Sequence, residues 1–120
     1  MLIIDDSSTM RNLLGMIASE LGVDSEQAPD GAAALDRVAR SADFDVALVD
    51  WDMPRMDGLE FVQRVRARPE LARMKLMMVT SHSGVRDVRR ALEVGADDFL
   101  MKPLDTGMVA GKLRLLGLLE

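Results

Sequence analysis

Cysteine is absent from this sequence, which excludes a disulfide framework and any thiolate metal site. Long apolar runs are missing too. Nothing approaches the roughly 18 consecutive apolar residues of a membrane-spanning helix, and the first residues lack the basic-then-apolar layout of a secretory leader. A soluble, cytoplasmic protein with no membrane partner is expected. The chain also lacks an excess of positive charge. Its net charge of −5 argues against direct binding to nucleic acid, because that affinity comes mainly from clustered Lys and Arg. Internal repeats and Ser/Gly/Pro-rich linkers are likewise missing. The 120 residues therefore read as one domain, residues 1–120, and with nearly half of them apolar the chain can bury a proper core without staples.

What is present is a steady alternation of short apolar runs with helical patterns, the signature of βα units. Met1-Leu2-Ile3-Ile4 reads as a first strand. After it, Met10, Leu13, Leu14, Ile17, Ala18 and Leu21 recur at helical spacing, with Ser7 or Ser8 to cap the helix and Gly22 to end it. Ser25 to Ala28 forms a weak second strand, followed by a helix from about Gly31 to Arg40. Phe44 to Val49 is a buried third strand with Asp50 directly after it, and a loop carrying Pro54 and Asp57-Gly58 leads to a helix bearing Leu59, Val62 and Val65. Leu76 to Val79 is the fourth strand, and Val85, Val88 and Leu92 mark the fourth helix. Asp98 to Met101 is the fifth strand, before a last helix from about Asp105. Five strands and five helices alternate, which makes an α/β protein with a parallel sheet.

Parallel strands joined by helical crossovers all end on one edge of the sheet, and ligands of such sheets sit outside those carboxyl ends. The residues following each strand therefore carry the chemistry. They are Asp5-Asp6 after the first strand, Asp50 after the third, Thr80 after the fourth and Lys102-Pro103 after the fifth. Only the second strand, ending at Ala28-Pro29, offers nothing. Three carboxylates on one edge repel one another unless a cation sits among them. Mg²⁺ suits such a place because it prefers oxygen ligands and keeps waters that a phosphate can replace. A lysine adds a point charge for a phosphoryl oxygen, a threonine hydroxyl can donate to another, and a carboxylate can itself be the nucleophile of an acyl phosphate. Together these parts suffice for phosphoryl transfer, where positioning and charge neutralisation carry most of the catalysis.

In these residues the chain resembles the receiver domains of two-component response regulators, most of all those of chemotaxis. The resemblance rests on Asp5-Asp6-Ser7-Ser8-Thr9-Met10-Arg11, Asp50-Trp51-Asp52-Met53-Pro54, Met56-Asp57-Gly58-Leu59-Glu60, Val79-Thr80 and Lys102-Pro103, and it covers the whole chain. It implies a flavodoxin-like, doubly wound sheet in the order 2-1-3-4-5, flanked by five helices. It further implies that Asp50 is the phospho-acceptor, that Asp5, Asp6, Asp50 and the main-chain carbonyl of Asp52 hold Mg²⁺, and that Lys102 pairs with Asp50 and then with the phosphoryl group. Pro103 would follow a cis peptide bond. Thr80 would move toward the phosphoryl group, and the aromatic Phe99 would fill the space it leaves. Since Phe99 has no hydroxyl, its signal is one of shape. The implied partners are a histidine kinase or phosphotransfer protein as donor, with small acyl phosphates as substitutes, and a downstream effector protein that reads the face built from helix four, strand five and helix five. Such a domain is not an enzyme in the ordinary sense, since it catalyses only its own phosphorylation and dephosphorylation.

Each residue also has a plainer reading. Asp5-Asp6 alone could be helix-capping chemistry, Asp50 a turn residue and Lys102 a solvated charge; only their joint placement favours phosphoryl chemistry. Asp52 stands where chemotaxis receivers carry asparagine, and His82, the sole histidine, lies two residues past Thr80. Both bear on the lifetime of the phosphorylated state, although His82 as a solvated loop residue is the simpler expectation. Of two arginine groups, Arg64/Arg66/Arg68 reads as a solvated face, and Arg86/Arg89/Arg90 lies on the implied output face. Leu113, Leu115, Leu116, Leu118 and Leu119 exceed one buried stripe, while Gly107, Gly111 and Gly117 weaken the last helix. An exposed apolar strip there would suit docking or homodimer formation on phosphorylation, and a frayed end explains it equally well. Two rival functions remain. An aspartate-nucleophile phosphatase would use Asp50-Trp51-Asp52 as its Asp-x-Asp pair, but usually places it after the first strand and expects Thr or Val where Pro54 stands. A receiver-like scaffold working without phosphorylation usually lacks an acidic or lysine position, and none is missing here.

Overall fold

The computed structural model describes residues 1–41 and 43–120. In chain order it contains β1 (Leu2–Ile4), α1 (Ser8–Glu20), β2 (Glu26–Ala28), α2 (Gly31–Arg40), β3 (Val46–Asp50), α3 (Gly58–Arg66), a 3₁₀ turn (Pro69–Leu71), β4 (Lys75–Thr80), α4 (Val85–Val94), β5 (Asp98–Met101) and α5 (Thr106–Leu115). All neighbouring strands pair in parallel, in the order β2-β1-β3-β4-β5. No helix among the described residues is long and apolar enough to cross a membrane.

Strand side chains alternate between two faces, and here both faces are buried. Leu2, Ile4, Ala47, Val49, Leu76 and Met78 meet Val38, Phe61, Val62, Val65 and Ala91, so α2, α3 and α4 cover one side. Ile3, Val46, Leu48, Met77, Val79 and Leu100 meet Leu14, Ile17, Ala18, Val109 and Leu113, so α1 and α5 cover the other. Each fully buried Leu, Ile or Phe contributes about 1.5–3 kcal/mol by leaving water. That is why strands of three to six residues suffice.

Local chemistry sets the helix starts. Ser7, Asp30, Asp57 and Asp105 each accept a main-chain N–H three residues on, at α1, α2, α3 and α5 respectively. Only α4 begins without a side-chain cap, at Gly84.

Several boundaries and faces depart from the pattern reading. β3 starts at Val46, because its ladder with β4 begins at the Val46–Lys75 pair, and Phe44 packs on the helix-covered core from the preceding loop. The same ladder takes in Asp50, opposite Val79. The 3₁₀ turn at Pro69–Leu71 is too short to carry a periodicity that a sequence pattern shows. On α1, Leu13 is 40% exposed: it lies one step of about 100° before the buried Leu14 and misses the buried stripe. On α4 the marking residues are the outer ones, with Val85 75% and Leu92 45% exposed, and the only buried residue is the small Ala91. On α5, Val109, Ala110 and Leu113 face inward and Leu115 is 78% exposed, whereas Leu116, Leu118 and Leu119 fold back on the core.

Candidate functional site

Strand register assembles the site at the carboxyl edge. Because Ile4 is opposite Val49, the next residues, Asp5 and Asp50, lie side by side at that edge. One carboxylate oxygen from each of Asp5, Asp6 and Asp50 lies within 4.8 Å of the others. Asp5 and Asp50 are buried and Asp6 is exposed, so the group is open on one side. Ser7 N–H donates to Asp5 Oδ1 at 2.9 Å, and the Arg11 guanidinium donates to the Asp5 carbonyl at 2.7 Å, fixing the turn into α1. Asp5 Oδ2, by contrast, is buried with no hydrogen-bond partner.

A buried carboxylate without a partner is costly. Burial pushes the Asp5 carboxyl above its ordinary range, against the pull of the Ser7 N–H and Lys102. Burial does the same to Asp50, with the Lys102 hydrogen bond opposing and the neighbouring Asp5 adding to the rise. The clash of three acids, one with an orphaned oxygen, fits a hard divalent cation that takes oxygen ligands.

Opposite the acids, Lys102 Nζ donates to Asp50 Oδ1 at 3.1 Å. It is placed by β5, whose end is tied to β4 by the Lys102 N–H to Thr80 carbonyl bond of 2.9 Å, and the Lys102–Pro103 peptide is cis. Thr80 is buried, and its Oγ1 accepts the His82 N–H at 2.8 Å. Phe99 stands opposite Met78, two residues before Thr80 on the same face of the sheet, so the two side chains are diagonal neighbours. The Phe99 ring is half-buried beneath Lys112 Nζ, 5.2 Å from its centroid.

Approach to Asp50 also tolerates little bulk behind it. A Cβ on Gly58 would lie 2.5 Å from the Asp50 carbonyl oxygen, so only glycine lets α3 start this close to the acceptor loop.

The mouth of the site holds a group that residue patterns did not reveal. His82 Nε2 lies 3.0 Å from Asp52 Oδ1 and 3.1 Å from Oδ2, and its Nδ1 lies 3.4 Å from Asp87 Oδ2. Its ring stacks on Trp51 with centroids 4.8 Å apart. Hydrogen bonding to Asp52 holds the imidazole above its ordinary pKa, assisted by Asp87. His82 is thus a loop histidine flanked by two carboxylates and an indole ring. The only available signal was that Asp52 and His82 each lie two residues beyond a strand-end site residue; register, which pattern cannot supply, makes them meet.

Residues 1–114 match the family model of the response regulator receiver domain. The chain belongs to that family. The receiver domain is 37% identical over 114 residues to a chemotaxis protein CheY homolog of Campylobacter jejuni, covering 94% of this chain and 88% of the relative. Chemotaxis protein CheY1 of Helicobacter pylori is 34% identical over 116 residues, covering 96% and 94%. Among solved structures, Vibrio cholerae chemotaxis protein CheY4 superposes with a TM-score of 0.89 at 30% identity, covering 95% of this chain and 94% of that one. The fold is accordingly the CheY-like, flavodoxin-like one, and the domain is a signalling unit of the two-component type rather than a conventional enzyme. Receiver domains take phosphoryl groups from kinases and act on effectors.

Proposed function

We propose that residues 1–120 form one phosphorylation switch in which Asp50 accepts a phosphoryl group from a histidine kinase or phosphotransfer protein. The single observation that carries this reading is the Asp5/Asp6/Asp50 cluster, with Lys102 on Asp50 and an unpartnered buried oxygen on Asp5. Asp5, Asp6, Asp50 and the Asp52 carbonyl would hold Mg²⁺, which supplies charge neutralisation for the incoming phosphoryl oxygens. Lys102 favours the ionised form of the Asp50 carboxylate against its burial and aims it. An Asp50 oxygen then forms the new P–O bond as the bond to the donor's leaving group breaks, and the donor's nitrogen or carboxylate departs with the electron pair. Lys102 afterwards pairs with a phosphoryl oxygen, and the Thr80 hydroxyl donates to another. Dephosphorylation reverses the acyl phosphate with water as acceptor.

The output follows from packing. Thr80 moving inward leaves room that Phe99, its diagonal neighbour, can enter, and this alters the face formed by α4, β5 and α5 that an effector protein reads. The exposed Val85, Leu92 and Leu115 lie on these helices, with Arg86, Arg89 and Arg90 beside them. Likeness to CheY proteins supports a chemotaxis pathway in the cytoplasm. Asp52 and His82, at the mouth, tune how long the acyl phosphate survives by governing the approach of water.

Trp51 reports on the site because it is the only tryptophan and follows the acceptor directly. Its fluorescence would be followed while Mg²⁺ and then acetyl phosphate or beryllofluoride are added to the native chain and to Asp50→Asn. A saturable, Mg²⁺-dependent change confined to the native chain is expected. No response from either chain would leave a scaffold that signals without phosphorylation.

A further inference from the structure

α4 is held unequally at its two ends. Among its residues only Ala91 is buried, where α2 and α3 each bury four. Its C-terminal end is pinned: the Arg66 guanidinium donates to the Gly95 carbonyl at 2.9 Å and to Asp97 Oδ2 at 2.8 Å, and Asp97 Oδ2 also accepts the Leu76 N–H. Its N-terminal end has no side-chain cap, and what reaches into its first turn is His82, through Asp87.

His82 makes three polar contacts. Its main-chain N–H donates to Thr80 Oγ1, its Nε2 faces the Asp52 carboxylate and its Nδ1 faces the Asp87 carboxylate. A carboxylate thus lies beside each ring nitrogen, and stacking on Trp51 fixes the ring plane. Thr80 Oγ1 accepts from His82 while its own proton stays available. A hydroxyl that turns toward a phosphoryl oxygen therefore need not release His82, and draws the 80–82 backbone with it.

Resting on the reading of Asp50 as phospho-acceptor, we propose that His82 is a positioning residue that couples the Thr80 hydroxyl to the first turn of α4 through Asp87, so that occupancy of the site swings the N-terminal end of α4 about its Arg66-pinned C-terminal end. The residues that move most are Val85 to Arg90, and they carry the exposed Val85, Arg86, Arg89 and Arg90. Asp52 supplies the fixed side of the link, since it belongs to the acceptor loop.

The test is backbone amide NMR of the full chain with Mg²⁺, before and after beryllofluoride, with loading followed separately by the ¹⁹F signal of bound beryllofluoride. Native, His82→Ala, Asp87→Asn and Asp87→Glu chains are compared. In the native chain, shift changes on loading should be largest at Val85–Arg90 and fade toward Val94. Asp87→Asn should load like the native chain, yet lose at least half of the response at Val85–Arg90 while keeping that at Val79–Ser81. His82→Ala should lose the same α4 response, and Asp87→Glu, which restores the carboxylate, should regain it. A purely structural role would not give this split or this rescue. Full α4 responses in loaded Asp87→Asn and His82→Ala would overturn the coupling and leave the acceptor reading intact. Loss of loading in Asp87→Asn would also overturn it, by placing Asp87 with the acceptor. Failure of the native chain to load would instead overturn the acceptor reading and the coupling with it.

Discussion

Asp5 is the residue whose surroundings make the firmest demand. Its carboxylate is 1% exposed and has an oxygen without a partner, so in metal-free protein the ionised form works against folding. Because burial raises its folded-state pKa above the unfolded value, the proton is held more tightly in the native chain. The associated stability is present at low pH and is lost as pH rises through the raised pKa. Asp5→Asn removes this loss. In EDTA at neutral pH the variant should be more stable by about 1 kcal/mol or more, a few degrees in Tm. Thermal melts across pH should show the gap growing from acid toward neutrality; a constant gap, or a less stable variant, would contradict it. Asp5, Asp50, Thr80 and Lys102 were legible as candidates because each ends or follows a short apolar run, and the topology sends all such ends to one edge. The contact between Asp52 and His82 was not, since a pair of polar residues in two loops has no periodicity to read.

At the scale of the element, close approach outweighs propensity. Gly58→Ala should favour helix formation by about 1 kcal/mol. The added Cβ, however, would meet the Asp50 carbonyl oxygen at 2.5 Å and Met78 Cε at 2.7 Å, and overpacking against backbone typically costs about 1–3 kcal/mol. A net destabilisation by urea titration is expected, together with slower loading of Asp50; a gain in stability would mean that α3 can slide away from the acceptor. On α5, Leu113→Ala should cost about 2–5 kcal/mol, whereas Leu115→Glu should stay within about 0.5 kcal/mol. Equal urea midpoints for the two variants would refute the assigned faces. The existence of all five helices was readable from spacing, and on α1 and α3 the spacing also found buried residues, Leu14, Ile17 and Ala18 on one and Val62 and Val65 on the other, but on α4 it did not. There the largest apolar residues point outward, and a single alanine sits against the sheet. Spacing finds an apolar face, and only the packed neighbours tell whether it is covered.

For the molecule as a whole, the sheet is what turns a scattered set of residues into a site. Lys102 and Asp50 lie 52 positions apart, yet the parallel β3-β4-β5 register brings them into a 3.1 Å hydrogen bond. Strict strand–helix alternation in the sequence made the parallel sheet and its functional edge legible, and the strand order came from family resemblance. The register, the mouth group and the unequal anchoring of α4 arise only from three-dimensional packing. At this edge Asp50 is proposed to accept phosphoryl groups. The most direct test is intact-mass measurement of acid-quenched protein after incubation with acetyl phosphate, with Mg²⁺ or with EDTA. The expected result is a gain of one phosphoryl group by the native chain with Mg²⁺, located at Asp50, and none with EDTA or in Asp50→Asn. A native chain that gains none, or an Asp50→Asn chain that gains as much, would contradict the claim.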